Sequence, residues 1–192
     1  MSAHDRGPFL QTYTGKHFHP FDPRPEEIDI EDIAHALSHE CRWGGHTTRF
    51  YSVAWHSIMV ARALEYRGPL ASLRGLLHDA SEAYLRDIPR PLKLHPSMAG
   101  YRAIEASVQA ALYAHFGLPP NADHDAWVHE ADNDALREEA YTRLLGGPVG
   151  WVPEGGPMPL LAADDAWWPS HDDAKTEFLR TFSDLKKAVS AP

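Results

Sequence analysis

Histidine and carboxylate side chains stand at three separate places where the surrounding pattern is apolar. The sequence holds 13 histidines among 192 residues, and histidine is the side chain that most often binds metal ions. His56, His78, Asp79 and Asp132 together offer two imidazoles and two carboxylates. This donor set suits Zn, Mn, Co, Fe or Ni and leaves coordination positions open for water and substrate. The sequence therefore predicts one divalent metal ion without fixing which.

Helical periodicity turns two of these side chains toward apolar neighbours. A helix advances about 100° per residue, which puts His56 on the face of Val60 and Asp132 on the face of Val128. A buried carboxylate is costly unless it is paired or bound to a metal. Facing helices often build a metal site from inward His and carboxylates, so we favour this over hydrogen-bonded or salt-bridged core residues.

Glu82 follows the His-Asp pair by about one helical turn. On a continuous helix, residues 78–82 would rise by only roughly 6 Å. Glu82 would then stand beside the predicted ligands without being one of them. A carboxylate in that position can accept a proton from water, which is the role of a general base.

The elements that carry these residues are predicted to be helices. Apolar residues recur at helical spacing, and we find no alternating strand pattern of any length. A short hairpin within 9–19 is the exception. The fold class is therefore all-α, as one domain over 1–192 with a core over about 30–145. The predicted helices cover about 29–41, 52–67, 69–85, 98–116, 125–145 and 170–189, with a loop at 42–47, a non-helical segment at 88–91 and a long loop rich in Gly, Pro and Trp at 146–169.

Composition excludes several classes of protein. Lys plus Arg is 18 and Asp plus Glu is 27, giving a net charge of −9, which argues against a nucleic-acid polymer or an anionic membrane as partner. Cys41 is the only cysteine, so no intramolecular disulfide or cysteine-based zinc site can form. We see no secretory signal and no membrane span, and therefore expect a cytoplasmic protein.

The spacing of His56, the His78-Asp79 pair and Asp132 resembles the HD superfamily of metal-dependent phosphohydrolases. Adjacent His-Asp is a weak signal, but a longer string of motifs is similar to the bacterial 5′-deoxynucleotidase branch. The resemblance covers about residues 30–145 and implies an HD-domain helical bundle. The motifs are Cys-Arg-Trp at 41–43, Trp-His-Ser at 55–57, Leu-His-Asp-Ala-Ser-Glu at 77–82 and Asp-Ile-Pro-Arg-Pro at 87–91.

The resemblance also implies roles for individual residues. Glu82 matches the acid that orients or deprotonates the attacking water, and Arg42, followed by Trp43, matches the arginine that grips the substrate phosphate. Asp87 matches the acid that contacts the 3′-hydroxyl of deoxyribose, and the prolines after it crowd the 2′ position. The four matches to the metal ligands are His56, His78, Asp79 and Asp132.

The implied activity is hydrolysis of deoxynucleoside 5′-monophosphates to nucleoside and phosphate. The family's relatives are mostly cytoplasmic and often dimeric, so the resemblance is compatible with a homodimer, although the sequence does not fix the oligomeric state. Two alternatives stay open. His46, Arg49 and Lys93 add donors that fit a deoxynucleoside triphosphate triphosphohydrolase, although His46 also fits a tight turn and Lys93 a plain surface charge. A protein of another class, a non-catalytic HD module that binds nucleotide, is the second alternative.

Overall fold

The computed structural model describes residues 6–150 and 168–190. Within them the chain is helical apart from one two-stranded hairpin, so the predicted all-α class is confirmed. The helices are α1 (Ile30–His39), α2 (Val53–Ala63), α3 (Pro69–Leu76), α4 (Glu82–Leu85), α5 (Arg90–Lys93), α6 (Ala99–His115), α7 (Ala122–Arg143) and α8 (His171–Ser190), and the strands are β1 (Leu10–Gln11) and β2 (His17–Phe18).

The hairpin is antiparallel, and polar and aromatic contacts fasten it to the helices. Thr14 donates from its backbone N–H and its hydroxyl to the two carboxylate oxygens of Asp32, at 2.6 and 2.8 Å. Phe18 is fully buried and stacks on Tyr84 at 3.8 Å between ring centroids. Because a two-stranded hairpin alone is marginal in water, these contacts are what hold it in place.

The core lies where α2 and α3 pack against each other. Helix α8 covers α1, α2 and α3, and α7 packs on α2 and α3 from another direction. Gly75 permits the close approach of α2 and α3, because a Cβ there would lie 2.8 Å from Leu64 Cδ1 and 3.3 Å from Ala61 Cα. The packing thereby fixes the end of α2 relative to the end of α3.

The predicted continuous helix over 69–85 is wrong in its middle. Helix α3 ends at Leu76 and α4 begins at Glu82. The side-chain amide of Gln109, on α6, sits between them: its Nε2 donates to Leu77 O at 2.7 Å and its Oε1 accepts from Ser81 N at 3.0 Å. In a continuous helix Ser81 N would bond Leu77 O directly, so Gln109 replaces that bond and opens the turn.

Other boundaries differ by smaller amounts. Residues 90 and 91, part of the segment 88–91 expected to be non-helical, begin the single turn Arg90–Lys93, because a proline in a first helical turn forgoes no helix hydrogen bond. Helix α7 begins at Ala122 rather than 125, with Asn121 Oδ1 capping His124 N. Helix α2 ends at Ala63 and a 3₁₀ turn, Glu65–Arg67, follows.

The C-terminal helix begins as the sequence predicts. Ser170 Oγ accepts from Asp173 N, and Asp173 Oδ2 accepts from Ser170 N at 3.1 Å, which is a capping box with Asp in place of Glu. Most of the loop predicted at 146–169 lies outside the described residues. Within the described part of the chain, none of the helices combines the length and apolar character needed to cross a membrane.

Candidate functional site

Predicted site residues that lie far apart in the sequence share one cavity, which has a volume of about 740 Å³. The loop after α1, the turn after α3, the segment around α5 and helix α7 all contribute to its wall. His56 and His78 lie behind this wall, in contact with Asp79 and Asp132. The predicted residues on the wall are Arg42, Trp43, His46, Asp79, Glu82, Asp87, Lys93 and Asp132.

Two imidazoles and one carboxylate form a compact cluster that could hold a metal ion. One ligand atom from each of His56, His78 and Asp79 lies within 4.8 Å of the others. Asp132, the fourth predicted ligand, approaches from α7 with Oδ1 at 3.1 Å from His56 Nε2 and 3.8 Å from His78 Nε2. The structure therefore brings all four residues together.

The hydrogen bonds of the two histidines decide which nitrogens face the cluster centre. His78 Nδ1 lies 2.7 Å from the carbonyl oxygen of Gly75, and His56 Nδ1 lies 2.7 Å from Oε1 of Glu139. A carbonyl or an ionised carboxylate only accepts, so both Nδ1 atoms donate. In the neutral imidazoles both Nε2 atoms then carry a lone pair, and they lie 3.3 Å apart.

This arrangement fits a divalent cation. Two unprotonated Nε2 atoms at that distance repel each other unless a proton or a metal cation lies between them, and Asp79 and Asp132 add negative charge that attracts either one. Neutral imidazole nitrogens and carboxylate oxygens are the donors that Zn and the neighbouring transition metals bind. Hydrogen bonding of the remote ring nitrogen also orients such ligands. His129, a rival ligand one turn before Asp132, is exposed and contacts Asn133 instead.

Glu82 occupies a buried position beside the cluster. Only 4% of the residue is exposed, and one carboxylate oxygen, Oε1, lies 3.2 Å from Lys93 Nζ. Among the described residues none donates to the other oxygen, Oε2. Burial, followed by the charges of Asp79 and Asp87, raises the pKa of Glu82 well above its usual value. An acceptor oxygen without a partner at a cavity wall suits proton transfer.

Lys93 lines the cavity and has two carboxylate partners that the sequence did not indicate. It lines the cavity, as predicted for a substrate-binding residue, but its ammonium is held by Glu82 and by Glu105, which lies 2.7 Å away on α6. In this structure the ammonium of Lys93 therefore contacts two carboxylates of the protein itself. Arg90 also reaches the cluster, with Nη2 3.5 Å from Asp132 Oδ2.

Asp87 lies on the cavity wall directly after a strained residue. Arg86 has a φ of 78°, which is rare outside glycine, and its guanidinium bonds Glu40 at 2.6 Å. Burial raises the pKa of Asp87, and Arg42 partly opposes this. Strained backbone of this kind persists only where the surroundings hold it, and here it aims the following carboxylate.

The loop after α1 contains a second strained residue. Trp43 has φ 60° and ψ 23°, and its indole Nε1 donates to Glu139 Oε2 at 3.0 Å. Arg42 donates to the same oxygen from Nη2 at 3.0 Å and from Nε at 3.3 Å. His46 lines the cavity, whereas Arg49 lies outside it, with its guanidinium 5.8 Å from the Trp168 ring.

Glu139 is the functional candidate that the sequence reasoning missed. It is 1% exposed, and although burial opposes ionisation, the charge of Arg42 and the contact with His56 bring its pKa to about 2. One sequence signal was present: Glu139 follows Asp132 by seven residues, which is about two helical turns and therefore the same helix face.

Comparison with known proteins shows the family of the chain. It is 38% identical over 180 residues to the uncharacterized protein YfdR of Escherichia coli K12, covering 93% of this chain and 96% of YfdR. The chain therefore belongs to the same family as YfdR. It is also 42% identical over 112 residues to an uncharacterized protein of Rhodobacter capsulatus, covering 55% of this chain and 57% of that protein. No family model matches the chain.

Proposed function

We propose that this protein is a metal-dependent phosphohydrolase of the HD superfamily that hydrolyses deoxynucleoside 5′-monophosphates to nucleoside and phosphate. One observation carries the proposal. The Nε2 atoms of two imidazoles meet two carboxylates of the cavity wall, and the same wall holds an arginine and a buried carboxylate with one oxygen that has no partner among the described residues. The residues that the HD resemblance assigns to metal, water and phosphate are thus close together.

The cluster of His56, His78, Asp79 and Asp132 would hold the metal. When bound, a divalent ion lowers the pKa of water and neutralises charge on a phosphate oxygen. Glu82 Oε2 would accept the proton of the attacking water. Water adds to phosphorus, the bond between phosphorus and the 5′-oxygen breaks, and the 5′-oxygen leaves as the nucleoside hydroxyl with a proton from solvent, to which Glu82 afterwards releases the proton it accepted.

Arg42 and Asp87 would hold the two ends of the substrate. The bonds of Arg42 to Glu139 use Nε and Nη2, so Nη1 can still donate to a substrate; a carboxylate oxygen of Asp79 lies 3.8 Å from Nη1. A guanidinium offers several donors in a fixed plane, which suits phosphate oxygens. The carboxylate of Asp87 would accept a hydrogen bond from the 3′-hydroxyl. Nucleotides also fit the cytoplasmic location expected from the sequence.

The cavity supports a monophosphate over the triphosphate alternative. A triphosphate needs extra donors for its outer phosphates, and of the three basic residues that could supply them Arg49 is not among those lining the cavity. The ammonium of Lys93 is bound to Glu82 and Glu105. His46 is then the remaining donor of that set.

A product assay tests the proposal. The metal-loaded protein is incubated with deoxynucleoside mono- and triphosphates, alongside Glu82→Gln and the matched control Asp32→Asn, which alters a buried carboxylate that does not line the cavity. We expect free phosphate from monophosphates, a loss of about 10²–10⁴-fold in Glu82→Gln with metal retained, and unchanged turnover in Asp32→Asn. Inorganic triphosphate as product would favour the triphosphohydrolase. Saturable nucleotide binding without any product would favour the non-catalytic module.

A further inference from the structure

The single carboxylate of Glu139 contacts both the metal cluster, through His56, and the predicted phosphate-binding residues Arg42 and Trp43. Glu139 lies on α7, on the helix face that carries Asp132, but about 10 Å further along the axis. There it is buried behind the cavity and does not line it. It is therefore out of reach of a substrate and can act only through its neighbours.

The two carboxylate oxygens of Glu139 accept hydrogen bonds from different donors. Oε1 accepts from Nδ1 of His56 at 2.7 Å. Oε2 accepts from Arg42 Nη2 at 3.0 Å and from Trp43 Nε1 at 3.0 Å. These partners come from α2 and from the loop after α1, which lie more than 80 residues earlier in the chain than Glu139.

The contact with His56 fixes the tautomer of that ring. A carboxylate cannot donate, so Nδ1 carries a proton, and in the neutral ring that a metal requires the lone pair is then on Nε2, which faces Asp79 and Asp132. The contact with Arg42 and Trp43 fixes the direction of the guanidinium and stabilises the left-handed backbone of Trp43.

We propose that Glu139 is a positioning residue that holds the metal ligand His56 in its binding tautomer and, through its other oxygen, holds Arg42 and Trp43 at the phosphate end of the cavity. The inference rests on the proposed function. It predicts that metal binding and phosphate binding weaken together when this one carboxylate is changed, although Glu139 touches neither metal nor phosphate.

An amide cannot replace the carboxylate. In Glu139→Gln the single oxygen can serve either His56 or the pair Arg42 and Trp43, and the NH₂ group must then face a donor on the other side. Facing His56, the NH₂ group would favour the tautomer with the proton on Nε2, where the metal binds. Glu139→Asp keeps the charge, but its shorter side chain reaches one set of partners only.

The test measures binding of Co²⁺ and of inorganic phosphate by calorimetry, together with the ¹⁵N NMR tautomer of His56 in the metal-free protein. Wild type, Glu139→Gln, Glu139→Asp and the control Asp32→Asn are compared. We expect the Co²⁺ affinity of Glu139→Gln to fall about 10- to 100-fold, as for other groups that orient a ligand. Phosphate affinity should fall as well, and the His56 tautomer should change. Asp32→Asn should lower only the melting temperature.

Several outcomes separate this inference from the proposed function. Unchanged Co²⁺ and phosphate affinities in both Glu139 variants, with only a lower melting temperature, would make Glu139 a structural residue. If Glu139→Gln does not fold, Glu139→Asp decides with the same measurements. Wild type that binds Co²⁺ but hydrolyses no nucleotide would overturn the proposed function alone. Wild type that binds no Co²⁺ would overturn both.

Discussion

The ammonium of Lys93 lies 3.2 Å from Oε1 of Glu82, and this contact leaves Oε2 of the same carboxylate without a partner among the described residues. A lysine from α5 thus fixes one oxygen of the predicted general base and leaves the other for water. Glu105 binds the same ammonium from α6 at 2.7 Å, so two helices hold it in place.

Lys93→Met should move the acidic limb of the pH–rate profile to higher pH. Burial and the charges of Asp79 and Asp87 raise the pKa of Glu82, whereas Lys93 lowers it. Without Lys93 the pKa of Glu82 rises further, so the ionised base appears only at higher pH. The measurement is phosphate release from a deoxynucleoside monophosphate between pH 4 and 9. We expect the acidic limb to shift by about one to several pH units. Lys187→Met, at an exposed position on α8, is the control. If the acidic limb of the pH–rate profile stays in place in Lys93→Met, Lys93 does not lower the pKa of the catalytic base.

Gln109→Met should weaken metal binding although Gln109 is not a ligand. Its amide separates Leu77 O from Ser81 N and so opens the turn that carries His78 and Asp79. Without the amide that turn can close toward a regular helix, in which adjacent side chains diverge by about 100°. We expect about 10- to 100-fold lower Co²⁺ affinity by calorimetry. Ser107→Met, at an exposed position of α6, is the control and should bind Co²⁺ as wild type does. Equal Co²⁺ affinity in both variants would contradict the idea that the Gln109 amide positions the metal ligands.

A divalent ion should raise the melting temperature, and a chelator should reverse the rise. Ligand at about 100 times its dissociation constant stabilises a fold by about 2.7 kcal/mol, which for a chain of this size is roughly 5–10 °C. His78→Ala should abolish the shift in differential scanning fluorimetry. His129→Ala, which removes an exposed histidine from α7, should preserve it. If the shift is lost in His129→Ala and kept in His78→Ala, the metal ligand is His129 and not His78.

Asp87→Ala should reduce turnover of deoxynucleotides much more than that of phosphate esters lacking a 3′-hydroxyl. A hydrogen bond to a charged group is worth about 1.5–3 kcal/mol, which corresponds to roughly 10- to 150-fold in kcat/KM. The comparison is kcat/KM for a deoxynucleoside monophosphate and for its 2′,3′-dideoxy analogue in wild type and variant. An equal loss on the two substrates in Asp87→Ala would contradict a contact between Asp87 and the 3′-hydroxyl.

Glu27→Gln should destabilise the fold at neutral pH and lose that effect in acid. Burial raises the pKa of Glu27, but bonds from Arg6 and from His19 N outweigh it, so the folded pKa is lowered. A lowered folded pKa gives stability above the unfolded pKa that disappears as pH falls through the folded value. We expect about 1–3 kcal/mol at pH 7 by urea unfolding. The exposed neighbour gives the control Glu26→Gln, and an effect of Glu27→Gln that does not diminish below pH 4 would contradict the linkage.

The sequence by itself determined the helical class and most of the candidate site. Periodicity is local, so the faces that carry His56 and Asp132 could be read from their neighbours within two turns. The same holds for the capping box at Ser170 and for the breaks made by glycine and proline. Several residues that line the cavity, among them Arg42, Glu82 and Asp87, could be named because their motifs and spacing resemble those of the HD superfamily.

The tertiary structure decided the features that depend on partners far along the chain. Gln109 opens the helix at Leu77 from 32 residues away, against a local pattern that favours a continuous helix. Glu139 meets Arg42 across 97 residues, and Lys93 binds carboxylates rather than solvent. Packing of α6 and α7 brings these groups together. A buried carboxylate or amide must then find donors and acceptors wherever the fold supplies them, and no local pattern encodes which ones those are.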